Sequence, residues 1–261
     1  MKKPASPGSP SVVVAAAEPE LPLSAPSVAS VALAASIALI AWCAFAAQTD
    51  ITVHRMLTRG FGVIDGIERL TSYLTNLTIF ACALCFTCVG FFNLRSRVPF
   101  APFVGFFRKP TVVTAVTVYI VFVGIAYNVL LRHTWTPSGW RVLLNESLHT
   151  IVPVLAALYW LLFVPRFHLT LRHLLWWLVY PLGYLALTML RGAFSDFYPY
   201  PFIDVGELGY ERVMINASLL VLAFLTLMAV FVAINHRRPM PSISPAPVPH
   251  PAENHHDNDP A

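Results

Sequence analysis

From Val28 to Gln48 the sequence carries no charged side chain. A run of about 20 apolar residues is what the hydrocarbon core of a bilayer requires. Inside lipid every backbone N–H and C=O must find its partner within the protein, so such a run crosses as a helix. Five more runs of this kind follow: Tyr73 to Leu94, Thr111 to Leu131, Asn145 to Val164, Leu174 to Leu190 and Val213 to Asn235. No strand-like alternation competes with them. The expected fold is all-α, a polytopic membrane protein built as a bundle of six transmembrane helices. The expected domain spans 28–235. It is flanked by two disordered tails, 1–27 rich in Pro, Ala and Ser, and 236–261 rich in Pro, His and Asn.

Composition supports lipid as the main solvent. The chain is 57% hydrophobic and 11% charged, against about 25% charged in soluble domains. The net charge of +4 is spread along loops rather than gathered in a patch. That distribution argues against a nucleic-acid partner and fits topology signals instead. The second and fourth loops hold Arg108, Lys109, Arg166 and Arg172 and contain no acid. The positive-inside rule then puts both termini in the cytoplasm, in a bacterial inner membrane.

Polar residues of the spans gather at the outer end. The first span leaves through Gln48 and Thr49. The second begins Thr71-Ser-Tyr-Leu-Thr75-Asn76-Leu-Thr78, and the third leaves through Tyr127 and Asn128. The fourth enters with Asn145, Glu146 and His149, the sixth with Asn216. The inner halves are nearly bare. Buried polar groups need partners that lipid does not offer, so a shared pocket accounts for the asymmetry, as do interfacial helix ends for Gln48, Thr71 and Asn145. On the second span, Thr71, Thr75, Thr78, Cys82 and Cys85 recur at spacings of three and four and form one face of small residues. Such a face also serves close helix packing. Cys82, Cys85 and Cys88 have no His or carboxylate beside them in sequence; they read as packing residues, with no metal and no cofactor expected.

The fourth span is the most informative. Pro153 has no N–H to offer the carbonyl of residue 149, and its ring crowds that carbonyl. A kink is expected there, with the freed backbone belonging to His149. An ionisable residue inside a span is by default a site candidate, although a histidine bridging two helices would look the same. Glu146 lies one turn nearer the surface and is placed to orient His149. Between the fifth and sixth spans, Tyr198, Tyr200, Pro201 and Phe202 suit an interfacial belt or a lid. A channel or transporter would want polar residues along its whole path. A haem carrier would want two histidines at matched depth, and only His149 lies well inside a span.

Several short elements together resemble a known family. They are YLTNLT (Tyr73 to Thr78), LHTIVP (Leu148 to Pro153), YPLGY (Tyr180 to Tyr184), LRG (Leu190 to Gly192), YPYPF (Tyr198 to Phe202), and Gly209-Tyr210 followed by Asn216. The chain resembles the six-span membrane proteins of the androgen-induced and androgen-dependent group, through a bacterial branch labelled Pr-six-Pr, over about residues 30–235. That resemblance implies an intramembrane hydrolase of fatty acid esters of hydroxy fatty acids, using a Thr nucleophile and a His. The Thr falls on Thr75 and the His on His149.

On this expectation His149 takes the proton of Thr75, whose hydroxyl is otherwise a poor nucleophile, and Thr75 attacks an ester carbonyl. Asn76, Asn145 and Asn216 are candidates for the oxyanion donor. Arg191 or Arg132 would hold a substrate carboxylate. The expected partners are membrane lipids or a lipid-like substrate. The alternative reading is a non-enzymatic membrane protein or a small-molecule or lipid transporter.

Overall fold

A computed structural model of the chain describes residues 27–90 and 100–239. Of the two expected tails, 1–26 and 240–261 lie outside the described residues, as does the expected end of the second span, 91–94. The described residues are helical with no strand. The elements are α1 (Val28–Thr58), α2 (Val63–Thr71), α3 (Leu74–Gly90), α4 (Ala101–Phe107), α5 (Pro110–Ala126), α6 (Trp140–Glu146), α7 (Val152–Phe163), α8 (Leu171–Ser195) and α9 (Val205–Arg237). A π-helical turn, Tyr127–Leu131, extends α5, and a second, Ser147–Ile151, joins α6 to α7. Five helical stretches are individually long and apolar enough to cross a membrane, and the bent pair of α2 and α3 supplies a sixth. The chain is an integral membrane protein.

A ring of four spans, α1, α3, α5 and α7, encloses the core. On α1 the fully buried Ala34, Ile37, Ala38 and Ala41 recur at helical spacing. Small side chains let backbones approach in lipid, where dispersion contacts replace the hydrophobic drive. They face Ile79, Cys82, Ala83 and Phe86 of the α3 core segment. Trp42 donates to Thr87 (3.0 Å) and Trp160 to Thr114 (2.9 Å), so each indole N–H in the ring finds an acceptor. At the end where α9 finishes, the fully buried Asn235 clamps the backbone of Phe167, donating to its carbonyl at 2.9 Å.

Five spans depart from their expected limits; the fourth starts earlier, at Trp140, and the fifth runs from Leu171 to Ser195. The first does not stop at Gln48 but continues to Thr58, carrying Asp50, His54 and Arg55 beyond the apolar run. The second does not begin at Thr71. That residue ends α2, an amphipathic helix that leaves Val63, Ile64 and Ile67 exposed, and α3 follows at 85°. The bend is held by side chains that capture the freed backbone: Asn76 donates to the Leu70 carbonyl (2.8 Å), Ser72 to that of Glu68 (2.7 Å), and Tyr184 to that of Ser72 (2.8 Å). The polar face expected from Thr71 onward therefore starts at Thr75. The sixth helix opens at Val205 with a non-helical Gly209 (φ 74°) in its first turns, and its end at Arg237 takes in the start of the expected C-terminal tail.

The helix α8 stands outside the ring and is tied to it by long side chains. Pro181, inside α8, leaves the carbonyl of Trp177 without its N–H. Tyr119 of α5 donates to that carbonyl at 2.9 Å. Tyr180 and Thr78 share a further hydrogen bond of 2.8 Å. Tyr119→Phe keeps the ring and removes the donor. An unpaired carbonyl costs about 1–3 kcal/mol, so this variant is expected to unfold at lower temperature in detergent. An unchanged melting temperature would show that the bond does not hold α8.

Candidate active site

Two π-turns face each other across one end of the bundle. In the first, Asn128 donates through Nδ2 to the carbonyl of Gly124 (2.8 Å), four residues back. That bond competes with the ordinary helical one, and the ladder shifts to five-residue spacing, with the Arg132 N–H reaching the Tyr127 carbonyl at 2.9 Å. The second surrounds the position that Pro153 disturbs. The helix widens there: the Val152 N–H reaches back to the Ser147 carbonyl. The His149 carbonyl, freed as the sequence predicts, accepts from Asn128 Nδ2 at 3.1 Å. Gly124 makes this approach possible, since a Cβ there would lie 2.9 Å from the His149 oxygen and 3.0 Å from the Pro153 ring.

A polar network fastens the two turns. Arg132 donates from Nε to Asn128 (2.6 Å) and from a terminal nitrogen to both Glu146 oxygens (2.7 and 2.8 Å). Thr150 donates to Glu146 at 2.7 Å. Glu146 is thus committed to Arg132 and Thr150 and is not the group that orients His149. Orientation comes from the backbone: Nδ1 of His149 lies 3.0 Å from the Asn145 carbonyl. A carbonyl only accepts, so Nδ1 carries the proton and Nε2 keeps its lone pair. Nε2 has no hydrogen-bond partner among the described residues. The imidazole, 8% exposed, stacks on Tyr127 with centroids 3.6 Å apart.

A cavity of about 400 Å³ opens beside this pair. Thr75, Asn76, Asn145 and His149 all line it. Thr75 sits on the first turn of α3, placed there by the 85° bend. No hydrogen bond joins Thr75 to His149 among the described residues; the two are neighbours around one space. Asn76 has one amide hydrogen engaged with Leu70. The other three sequence candidates lie elsewhere. Asn216 donates to the Phe202 carbonyl at 2.9 Å. Arg191 pairs with Glu68 and Ser72 across the bend. Arg132 is likewise engaged, so neither arginine expected to hold a carboxylate is free to do so.

The loop after α8 closes over the cavity. Pro199, Tyr200 and Pro201 form part of its wall. Arg69 covers the Phe197 ring at 3.5 Å, Tyr73 meets the Tyr200 ring edge-on at 5.8 Å, and Tyr200 stacks on Phe202 at 5.2 Å. Asn216 holds this loop from below. The Tyr200 hydroxyl is in polar contact with Thr75 and Tyr184, and burial pushes its pKa above the ordinary phenol value. It therefore stays protonated at physiological pH. Sequence reasoning read Tyr200 only as part of a belt or lid; YPYPF signalled the loop, and nothing in it signalled contact with Thr75.

Compared with family models, curated proteins and solved structures, the chain matches none.

The network separates two kinds of bond by magnitude. Asn128→Ala orphans the His149 carbonyl in a water-poor setting, at about 1–3 kcal/mol. Arg132→Ala breaks an ion pair whose partners are 46% and 29% exposed, at under about 1 kcal/mol. Thermal unfolding of the two variants in the same detergent is expected to rank Asn128→Ala as the more damaging; the reverse order would make the ion pair the stronger clasp.

Proposed function

We propose that the chain is an intramembrane ester hydrolase acting on a lipid ester, with Thr75 as nucleophile and His149 as general base. The observation that carries this reading is that Thr75 and His149 line one cavity, with the histidine held by Nδ1 so that Nε2 is the basic nitrogen. Nucleophile and base are often further apart before substrate binds, and close on it in the complex. As Thr75 Oγ attacks the ester carbonyl, its proton passes to Nε2. The tetrahedral intermediate collapses, the C–O bond to the leaving alcohol breaks, and Nε2 returns the proton to that oxygen. Water then adds to the acyl-threonine with Nε2 again taking a proton, and the carboxylic acid leaves as Thr75 is reprotonated. The developing oxyanion needs a donor. Tyr200, protonated and against Thr75, serves that purpose, as does the Asn145 amide on the cavity wall.

The proposed setting is a bacterial inner membrane with both termini cytoplasmic, which puts the cavity at the outer leaflet. Arg108 and Lys109 before α5, Arg166 before α8 and Arg172 in its first turn lie at the end opposite the cavity and support that orientation. With this topology a C-terminal fluorescent-protein fusion is bright and a C-terminal alkaline phosphatase fusion inactive; the opposite pair of signals inverts the assignment.

The chemistry is tested with a fluorophosphonate probe on membranes. Thr75→Ala and His149→Ala are each expected to lose labelling, by about 10²-fold or more for removal of the base, while Thr75→Ser retains it. Both alanine variants must elute from detergent as monodisperse protein. Undiminished labelling in both would overturn the dyad.

A further inference from the structure

The cavity carries two positive charges and no negative one. Arg55, near the end of α1, and Arg141, on α6, line it together with Thr75 and His149, and no Asp or Glu does. Nearby arginines are spoken for: Arg132 by Glu146, Arg191 by Glu68, and Arg69 by the Phe197 ring. Neither Arg55 nor Arg141 has a side-chain hydrogen bond or ion pair among the described residues. Two unneutralised guanidiniums at one cavity raise the local concentration of anions and offer forked donors that match a carboxylate.

A second compartment adjoins the first. An apolar pocket of about 100 Å³ lies between α5, α8 and α9, walled by residues such as Phe122, Leu182, Leu220 and Phe224. Thr75, Tyr127, Leu131 and Tyr200 belong to both walls. Thr75 therefore stands on the boundary between a lipid-like space and a cationic one. A ligand spanning both presents its middle to Thr75.

We propose that Arg55 and Arg141 are specificity residues that hold the anionic head of a long-chain carboxylate, a few methylenes of whose chain enter the apolar pocket while the rest runs into the surrounding lipid. The inference rests on the reading of this cavity as a lipid-ester site and adds where the charge of its ligand goes. It assigns a role to two arginines that differ from those the sequence suggested.

Binding, not turnover, tests it. The full chain carrying Thr75→Ala is immobilised in dodecyl maltoside, and radiolabelled oleate and oleyl alcohol are titrated onto it. Oleate is expected to bind at least about tenfold more tightly than the alcohol, as charge-assisted hydrogen bonds imply. Arg55→Gln with Arg141→Gln is expected to abolish that difference and leave alcohol binding unchanged. Arg55→Lys with Arg141→Lys, which keeps the charges, retains part of it and controls for folding. Oleate binding unaffected by the glutamine pair overturns the proposal, as does an equal loss for both ligands. Displacement of oleate by phosphatidylglycerol, dependent on the same arginines, would also overturn it by making a lipid phosphate the occupant. Because Thr75 is absent throughout, oleate discrimination survives failure of the hydrolase chemistry, whereas probe labelling survives failure of this assignment.

Discussion

Two prolines set the terms for this fold. Each removes an N–H inside a span and leaves a carbonyl four residues earlier without its partner, in a solvent that cannot supply one. The orphans are Trp177 on α8 and His149 in the π-turn before α7. Both are satisfied by the third span: Tyr119 reaches the first and Asn128 the second. One central helix thus serves two neighbours as a donor post, and the register of α7 and α8 against it follows. The same span is the most buried of the five single-helix spans.

The consequence is a cavity rather than a seam. A π-turn adds a residue to one turn of helix and shifts the side chains after it around the axis. With two such turns opposite each other, this end of the bundle opens where regular helices would have closed on one another. The bend between α2 and α3 opens it from the third side. At every one of these irregularities a side chain replaces the missing backbone bond: Asn128 at the π-turns, and Asn76, Ser72 and Tyr184 at the bend. Irregular backbone at membrane depth survives only where protein or a water-filled cavity surrounds it, and here protein side chains surround it beside a cavity.

The six spans were legible because a bilayer imposes length and hydropathy on any chain that crosses it. The freed carbonyl at His149 was legible too, since the loss of an N–H at Pro153 is local chemistry. Its outcome was not. Whether a helix widens into a π-turn near a proline depends on what stands opposite, and Asn128 is 21 residues from His149. Thr71 was misassigned for a similar reason: its spacing with Thr75 and Thr78 is helical, but Ser72 and Asn76 capture the intervening backbone and end the helix between them. Asn216 and Arg191 share side and polarity with the cavity residues, yet pairwise contacts across the fold, with Phe202 and Glu68, take them out of it. Arg55 escaped notice because α1 outlasts its apolar run, and no apolar pattern marks the last turns of a helix that has left the membrane.

The placement of Glu146 explains how the site can hold a histidine without a carboxylate beside it. A carboxylate hydrogen-bonded to the imidazole would orient it, but it would bring a charge to a buried ring, where desolvation costs several kcal/mol unless a partner neutralises it. The chain divides the two tasks. Orientation falls to the Asn145 carbonyl, a dipole with no net charge and no freedom to move within its helix. The acid is turned toward the rim, where Arg132 neutralises it in contact with solvent. That pairing also consumes the arginine nearest the histidine. The cationic character of the cavity is therefore left to Arg55 and Arg141, which enter it from α1 and α6 on its other walls.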